Sequence, residues 1–300
     1  PFTSNLLYSP KPINPSPLLT QAVAKSNLVL TEVNTGCSPN ISVVIKTDMI
    51  KCACLFVGFV CKAYSLENRG VVRANLNKDP DDVAKMFDGV ANRYDFLNDL
   101  LSFGRTKSWR RNVTSIIKPQ KDMKILDIAA GTGSSTRPLV DKGADAIALD
   151  FSEGMLDQGR KKNSDIKFVK ADALNLPFAE NTFDVTTISF GLRNTSDTSA
   201  ALKDALRVTK SGGRIVIAEF SHPANLIFKK IYLNYLMAAL PAIAKRLSRN
   251  PEAYIYLAES IKAWPDQTSL AAIMGDVGWK SVVWQDLTFG IVAVHIGYKG

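Results

Sequence analysis

KILDIAAGTGSST, residues 124–136, decides how the rest of the chain is read. Ile125, Leu126, Ile128, Ala129 and Ala130 make a short apolar run, interrupted by Asp127 and ended by Gly131-Thr132-Gly133. A run of this length bounded by glycines predicts a parallel strand buried on both faces. The glycines let the backbone turn sharply and leave the main chain bare where a ligand approaches. The residues that follow can open a helix, whose first N–H groups lack partners and face the turn. The stretch therefore reads as a strand, a glycine loop and a helix that together cradle a ligand.

A dinucleotide cradle needs G-x-G-x-x-G after its first strand. Thr136 stands at the third glycine position, where close helix–strand packing requires glycine. An acid inside the strand followed by a shorter G-x-G suits S-adenosyl-L-methionine instead. Asp127 is that acid, four residues before Gly131. A carboxylate at the mouth of a buried strand is costly without a cation or several donors, and an amino group with a sulfonium would bring the charge. The plainer alternative is that Asp127 merely caps the glycine loop.

Downstream, strands and helices alternate. Residues 146–151 (AIALDF) predict a second strand ending at Asp150, about 19 residues after Gly131. That is the spacing at which an acid reaches ribose hydroxyls in nucleotide-binding α/β folds. Ser152 is placed to cap the next helix. Residues 166–169 predict a third strand, after which Asp172 can accept an adenine amino group while the Ala173 backbone meets the ring edge; a plain turn carboxylate is the alternative. Residues 183–189 predict a fourth strand. Ligands bind at the carboxyl ends of such strands, so Ser189 to Asn194 belong to the rim of the site. Asp197 caps a helix to Val208, Ser211-Gly212-Gly213-Arg214 reads as a turn, and residues 215–220 predict a fifth strand. Residues 225–247 are apolar on more than one side and interrupted by Pro241, which suits core or the wall of a greasy channel. Glu252 and Asp266 open two further helices. Residues 282–287 and 290–298 form two consecutive strands, which implies an antiparallel edge on an otherwise parallel sheet.

Upstream, Asp79-Pro80-Asp81-Asp82 is a helix start, with Val83, Met86, Phe87 and Val90 at helical spacing. Residues 107–117 predict a basic amphipathic helix with Trp109, Val113, Ile116 and Ile117 on one side. This region either covers the sheet edge or forms a lid that brings Tyr94 near the substrate. Residues 1–75 have the texture of a disordered extension, or of sequence foreign to the protein, attached to a domain at 76–300. All four cysteines, Cys37, Cys52, Cys54 and Cys61, lie in that extension. The domain thus has no disulfide, cysteine metal site or cysteine nucleophile, which suits a reducing cytoplasm. Residues 52–61 (CACLFVGFVC) are apolar over only about half a membrane span. The net charge of +9 points to an anionic neighbour, nucleic acid or an anionic membrane surface.

From about Lys78 to Gly300 the sequence resembles the quinone C-methyltransferases of menaquinone and ubiquinone biosynthesis, and most of all their menaquinone branch. The segments that carry the resemblance are MFDGVANRYDFLN (86–98), LSFGRTKSWRR (101–111), LDIAAGTG (126–133), ISFGLRN (188–194), AEFSHP (218–223), SRNPEAYIYLAESIKAWP (248–265) and LTFGIVAVH (287–295). The resemblance implies a three-layer, Rossmann-like class I methyltransferase. Its sheet would be mostly parallel and seven-stranded, in the order 3-2-1-4-5-7-6 with one antiparallel edge strand. It implies adenosylmethionine contacts at Gly131, Thr132, Asp150, Asp172, Ala173 and Ser189. The implied reaction is methylation of a ring carbon of a prenylated naphthoquinol, demethylmenaquinol to menaquinol, the last step of menaquinone formation. Arg193 is the candidate for stabilising the ring phenolate and His222 the alternative general base. The wall of the prenyl channel is expected at residues 232–240, and the basic surface is expected to rest on anionic lipid at the inner face of the cell membrane.

Three other readings compete. Another quinol, such as a ubiquinone precursor, would need only a different acceptor pocket. A non-catalytic quinone or lipid carrier would have no use for Asp127, Asp150 and Asp172 together. A nucleic-acid N-methyltransferase would want Asn/Asp-Pro-Pro-aromatic where Phe190-Gly191-Leu192-Arg193 stands, so nucleic acid is not an expected partner. The sequence leaves the oligomeric state open, a homodimer included.

Overall fold

The structure, a computed structural model, describes Val83, Lys85, Met86, Asp88, Ser102, residues 104–239 and residues 252–300. The expected extension over residues 1–75, its boundary with the domain, Tyr94 and residues 240–251 lie outside the described residues.

Along the chain come α1 (Thr106–Ile117), β1 (Lys124–Ile128), α2 (Arg137–Val140), β2 (Asp145–Asp150), α3 (Glu153–Lys162), β3 (Lys167–Lys170) and β4 (Phe183–Ser189). Then follow α4 (Thr198–Val208), β5 (Thr209–Phe220), α5 (Leu226–Asn234), α6 (Glu252–Ala263), α7 (Gln267–Asp276), β6 (Lys280–Leu287) and β7 (Val292–Tyr298). The strands form one sheet in the order β3-β2-β1-β4-β5-β7-β6. All neighbours from β3 to β5 pair in parallel. The reversed strand is β7, antiparallel to both β5 and β6. It lies one place in from the edge, because the terminal hairpin inserts its second strand beside β5.

Side-chain alternation along the central strands separates two cores. Leu126 and Ile128 of β1, Ile147 and Leu149 of β2, and Ile215 and Ile217 of β5 pack with α4 and α7 on one face. Ile125, Ala146, Val185 and Val216 pack with Val113 and Ile117 of α1 on the other. By the same alternation Asp127 points to the α1 side. Trp109, Val113 and Ile117, at helical spacing, are the buried apolar residues of α1. The Trp109 indole N–H donates to Thr288 Oγ1 at 2.8 Å, tying α1 to the turn before β7.

Two segments differ from expectation. The residues after the glycine loop turn from Gly131 to Thr136 before one short helix, Arg137–Val140, begins. The hydroxyls of Ser135 and Thr136 are drawn to Asp127, each at 2.7 Å, and hold that stretch in turns. Ser211-Gly212-Gly213-Arg214 is strand rather than turn, so β5 starts at Thr209. Gly212 N–H donates to Lys299 O and Lys299 N–H to Gly213 O, both at 2.9 Å, and this tertiary pairing extends the strand. Helix starts are as expected: Ser152, Asp197 and Asp266 accept from Met155, Ala200 and Ser269 N–H.

Candidate functional site

The sheet brings four strand ends into a row in the spatial order β3, β2, β1, β4, and the expected cofactor residues sit just past them. Asp172 and Ala173 follow β3, Asp150 ends β2, Gly131 and Thr132 follow β1, and Ser189 ends β4.

The glycine loop is held from both sides. Gly131 has φ +57° and Gly133 φ +76°, the region that glycine enters freely. A Cβ on Gly131 would stand 2.9 Å from Met155 Cε, and one on Gly133 2.9 Å from Phe168 Cζ. Gly131 N–H donates to Asp150 Oδ2 at 2.8 Å, and Ser152 N–H to Asp150 Oδ1 at 2.9 Å. Asp150 thus ties the loop to the second strand, and each oxygen keeps acceptor capacity. Burial pushes its carboxyl above the ordinary value, and the N–H groups of Ser152 and Gly131 oppose that. Thr132 is buried, with its hydroxyl 3.0 Å from that of Ser134. Asp172 Oδ1 accepts from Leu174 N–H at 2.9 Å, so this carboxylate shapes the turn after β3 as well as lying beside the row.

Asp127 is fully buried. Its Oδ2 takes both the Ser135 and Thr136 hydroxyls, while Oδ1 has no partner. One oxygen therefore clamps the loop, as the plainer reading expects, and the other is buried without a partner. Burial is the main cause that raises its carboxyl from 3.8 to about 6; the two hydroxyls lower it, and the charge of Asp150 raises it. The folded protein therefore holds this proton more tightly than the unfolded chain. Stability from this group is full below about pH 4 and is lost as pH rises toward 6, by about 3 kcal/mol in all. Asp127→Asn is expected to flatten that part of the stability–pH profile, measured by thermal melts from pH 4 to 7; an unaltered profile would reject the assignment.

Past β4 and β5 lies a second, drier group. Trp109, Phe190 and Phe220 meet at centroid separations of 5.2–6.2 Å. Arg193 is buried rather than at the surface, 3% exposed, with Nη1 2.9 Å from Glu219 Oε1. Its guanidinium lies 5.2 Å from the Phe220 ring centre, and its Nε has no partner. Because Glu219 compensates the charge, Arg193 offers an incoming oxygen a hydrogen bond rather than a net positive field. His222 Nε2 lies 2.8 Å from Trp264 O. A carbonyl only accepts, so Nε2 carries a proton, while Nδ1 is buried and has no partner. Gly191 lets the two loops meet, since a Cβ there would collide with Ala129 Cβ.

Sequence reasoning missed Glu219 as the partner of Arg193. It also missed Asp88, whose Oδ1 accepts from the Ser152 hydroxyl and, at 3.0 Å, from Gly154 N–H. Glu219 lay in a quoted segment, AEFSHP, but nothing in a linear pattern assigns a partner 26 residues away.

A sequence model of the ubiE/COQ5 methyltransferase family matches residues 74–299. The chain belongs to the ubiE/COQ5 methyltransferase family. Curated relatives agree. The demethylmenaquinone methyltransferase of Paenarthrobacter aurescens is 55% identical over 76% of this chain and 90% of its own. That of Mycobacterium marinum is 54% identical over 76% and 97%. Among solved structures, a SAM-dependent methyltransferase from Thermotoga maritima aligns with a TM-score of 0.54 at 20% identity, over 73% of this chain and 100% of that one, a likeness of fold.

This methyltransferase uses S-adenosylmethionine. Its residues suit that cofactor. Asp127 Oδ1 is a buried carboxylate oxygen without a partner, Asp150 is a carboxylate with acceptor capacity left, and the glycines leave the loop backbone bare.

Proposed function

We propose that this methyltransferase C-methylates the ring of a prenylated naphthoquinol, converting demethylmenaquinol to menaquinol at the end of menaquinone formation. The observation that carries this reading is that relatives bearing that name match at 50–55% identity over 90% or more of their own length. The domain at 76–300 performs the reaction without residues 1–75.

In this reading Asp150 holds the ribose hydroxyls, Asp172 and Ala173 the adenine, and Gly131, Thr132 and Ser189 line the cofactor's remaining edge. Asp127 Oδ1 faces positive charge, so cofactor affinity falls about tenfold per pH unit below 6 as that carboxyl protonates; calorimetry across pH 5–8 measures it. When bound, adenosylmethionine supplies an electrophilic methyl group on a sulfonium. The chain's own residues prepare the acceptor. A quinol hydroxyl has the acidity of a phenol, near 10. His222 Nδ1 is placed to take its proton, and Arg193 Nε to donate to the oxygen left behind. Trp109, Phe190 and Phe220 keep water from the ring, which favours a step in which opposite charges cancel.

A prenylated quinol resides in lipid, and the surface beside the site suits a peripheral contact on the cytoplasmic face of an anionic membrane. Leu226, Ile227 and Phe289 are 80%, 65% and 72% exposed. Phe289 packs against Phe228, at 5.7 Å between centroids. A cavity of about 590 Å³ beside Phe289 and Trp109 is lined by Arg105 and Arg111. Apolar tips among cations are the chemistry of interfacial binding. No helix among the described residues is long and apolar enough to cross a membrane.

One experiment tests the reading. Labelled adenosylmethionine is offered with reduced demethylmenaquinol in anionic or neutral vesicles, and with a ubiquinone precursor and bulk RNA in parallel. Label is expected in menaquinol, faster on anionic vesicles and equally from chains with or without residues 1–75. Label in the ubiquinone precursor or the RNA instead would refute it.

A further inference from the structure

Among the described residues, eleven buried side-chain polar atoms have no hydrogen-bond partner, and six of them gather around the tips of β4 and β5. Arg193 Nε and Asn194 Oδ1 follow β4, Ser221 Oγ and His222 Nδ1 follow β5, and the hydroxyls of Tyr232 and Tyr256 come from α5 and α6. Each such atom destabilises a fold when left unpaired. Concentration at one place points to a polar ligand that completes them.

Tyr232 and Tyr256 stand out because phenylalanine would fill the same space without that cost. Both are buried, 5% and 6% exposed. Helix α6 packs on the Leu192–Asn194 turn that carries Arg193. Phe220 touches both the Arg193 guanidinium and the cluster built around Tyr232, Leu236 and Ala258. The charges of Arg193 and Glu219 reach both phenols, the first favouring and the second opposing their ionisation. Three residues after Tyr232 the helix widens into a π-helical turn, Tyr235–Ala239, a distortion that recurs at functional sites. Burial pushes both phenols above their ordinary value, so they stay protonated and serve as donors rather than bases.

We propose that the Tyr232 and Tyr256 hydroxyls donate to the oxygen substituents of the acceptor ring, and that this pair selects a ring with two oxygens over one with a single oxygen. The inference rests on the quinol reading above and adds the residues that recognise the quinol. A site built to pair a substrate's polar groups rejects analogues that lack them far better than an apolar pocket can.

The test uses the full chain with Tyr232→Phe, Tyr256→Phe and both together. Apo thermal stability, cofactor affinity, quinol KM and kcat, and binding of tail-less 1,4-naphthoquinol against 1-naphthol by thermal shift are measured. Apo stability is expected to hold or rise, because the lost hydroxyl had no partner, and cofactor affinity is expected to hold. Quinol KM rises about tenfold in each single variant and about a hundredfold in the double. The preference for naphthoquinol over naphthol shrinks in step. Unchanged KM and preference would overturn the proposal, as would a fall in apo stability, which would make the hydroxyls structural. If the wild-type chain neither binds naphthoquinol nor methylates demethylmenaquinol, the quinol reading falls and this inference with it. If the wild type does both and the variants match it, this inference alone falls.

Discussion

Glu219→Ala is expected to destabilise the protein by about 3–5 kcal/mol, read as a lower denaturant midpoint. The size follows from what the change strands. Glu219 is 1% exposed and Arg193 3%. Arginine does not deprotonate at any ordinary pH, so removing the carboxylate leaves a full charge in the core. Glu219 Oε1 also accepts from Phe220 N–H at 2.8 Å and Oε2 from Arg193 N–H at 3.3 Å, so two backbone donors lose their partner as well. Replacing both ends, as in Arg193→Met with Glu219→Leu, is expected to recover most of the loss, because buried pairs exchanged for packed apolar groups are often neutral. A Glu219→Ala midpoint within 1 kcal/mol of wild type would mean that water reaches Arg193. The same pair limits how Arg193 is studied: Arg193→Ala strands Glu219, so its lost turnover mixes catalysis with damage. Arg193→Lys keeps a charge beside Glu219 but also removes the Nη1 contacts to Glu219 and Phe190 O, so it tests the guanidinium as a whole rather than Nε alone.

What could be read in the chain was local. The apolar run before Gly131 read as a buried strand, and two strands in succession at the end implied a reversed neighbour. Ser152, Asp197 and Asp266 each announced a helix through one side-chain acceptor. Acids after successive strands fell into one row because a parallel sheet puts all its carboxyl ends on one side. What could not be read depended on distant partners. Gly212 and Gly213 look like a turn in isolation and become strand through Lys299. Arg193 could be placed on the rim of the site by its position after the fourth strand, but its partner Glu219, 26 residues on, could not. Residues 225–247 read as core or channel wall alike. Within their described part, Tyr232 and Leu236 are buried while Leu226 and Ile227 face outward, so the segment is core on one side only.

Asp150→Ala is expected to weaken cofactor binding about 10²–10³-fold, by calorimetry at pH 7.5. Hydrogen bonds to a charged group contribute about 1.5–3 kcal/mol each, and a carboxylate can take both ribose hydroxyls at once. The alanine variant also frees Gly131 N–H and Ser152 N–H, so part of the loss reflects a looser glycine loop. Asp150→Asn does less damage, since its one amide oxygen still accepts from Gly131 N–H or Ser152 N–H while the charge and the second acceptor are lost. Burial disfavours that charge in the free protein, so Asn should hold apo stability within about 1 kcal/mol and still lose more than tenfold in affinity. A second readout needs no cofactor. The negative charge of Asp150 is one of the causes that raise the Asp127 carboxyl. Either Asp150 variant should therefore move the Asp127-linked fall in stability to lower pH. If affinity in Asp150→Ala stays within threefold of wild type, the ribose is held elsewhere. If in addition the stability profile does not move, the two carboxylates do not share the site that the strand ends build.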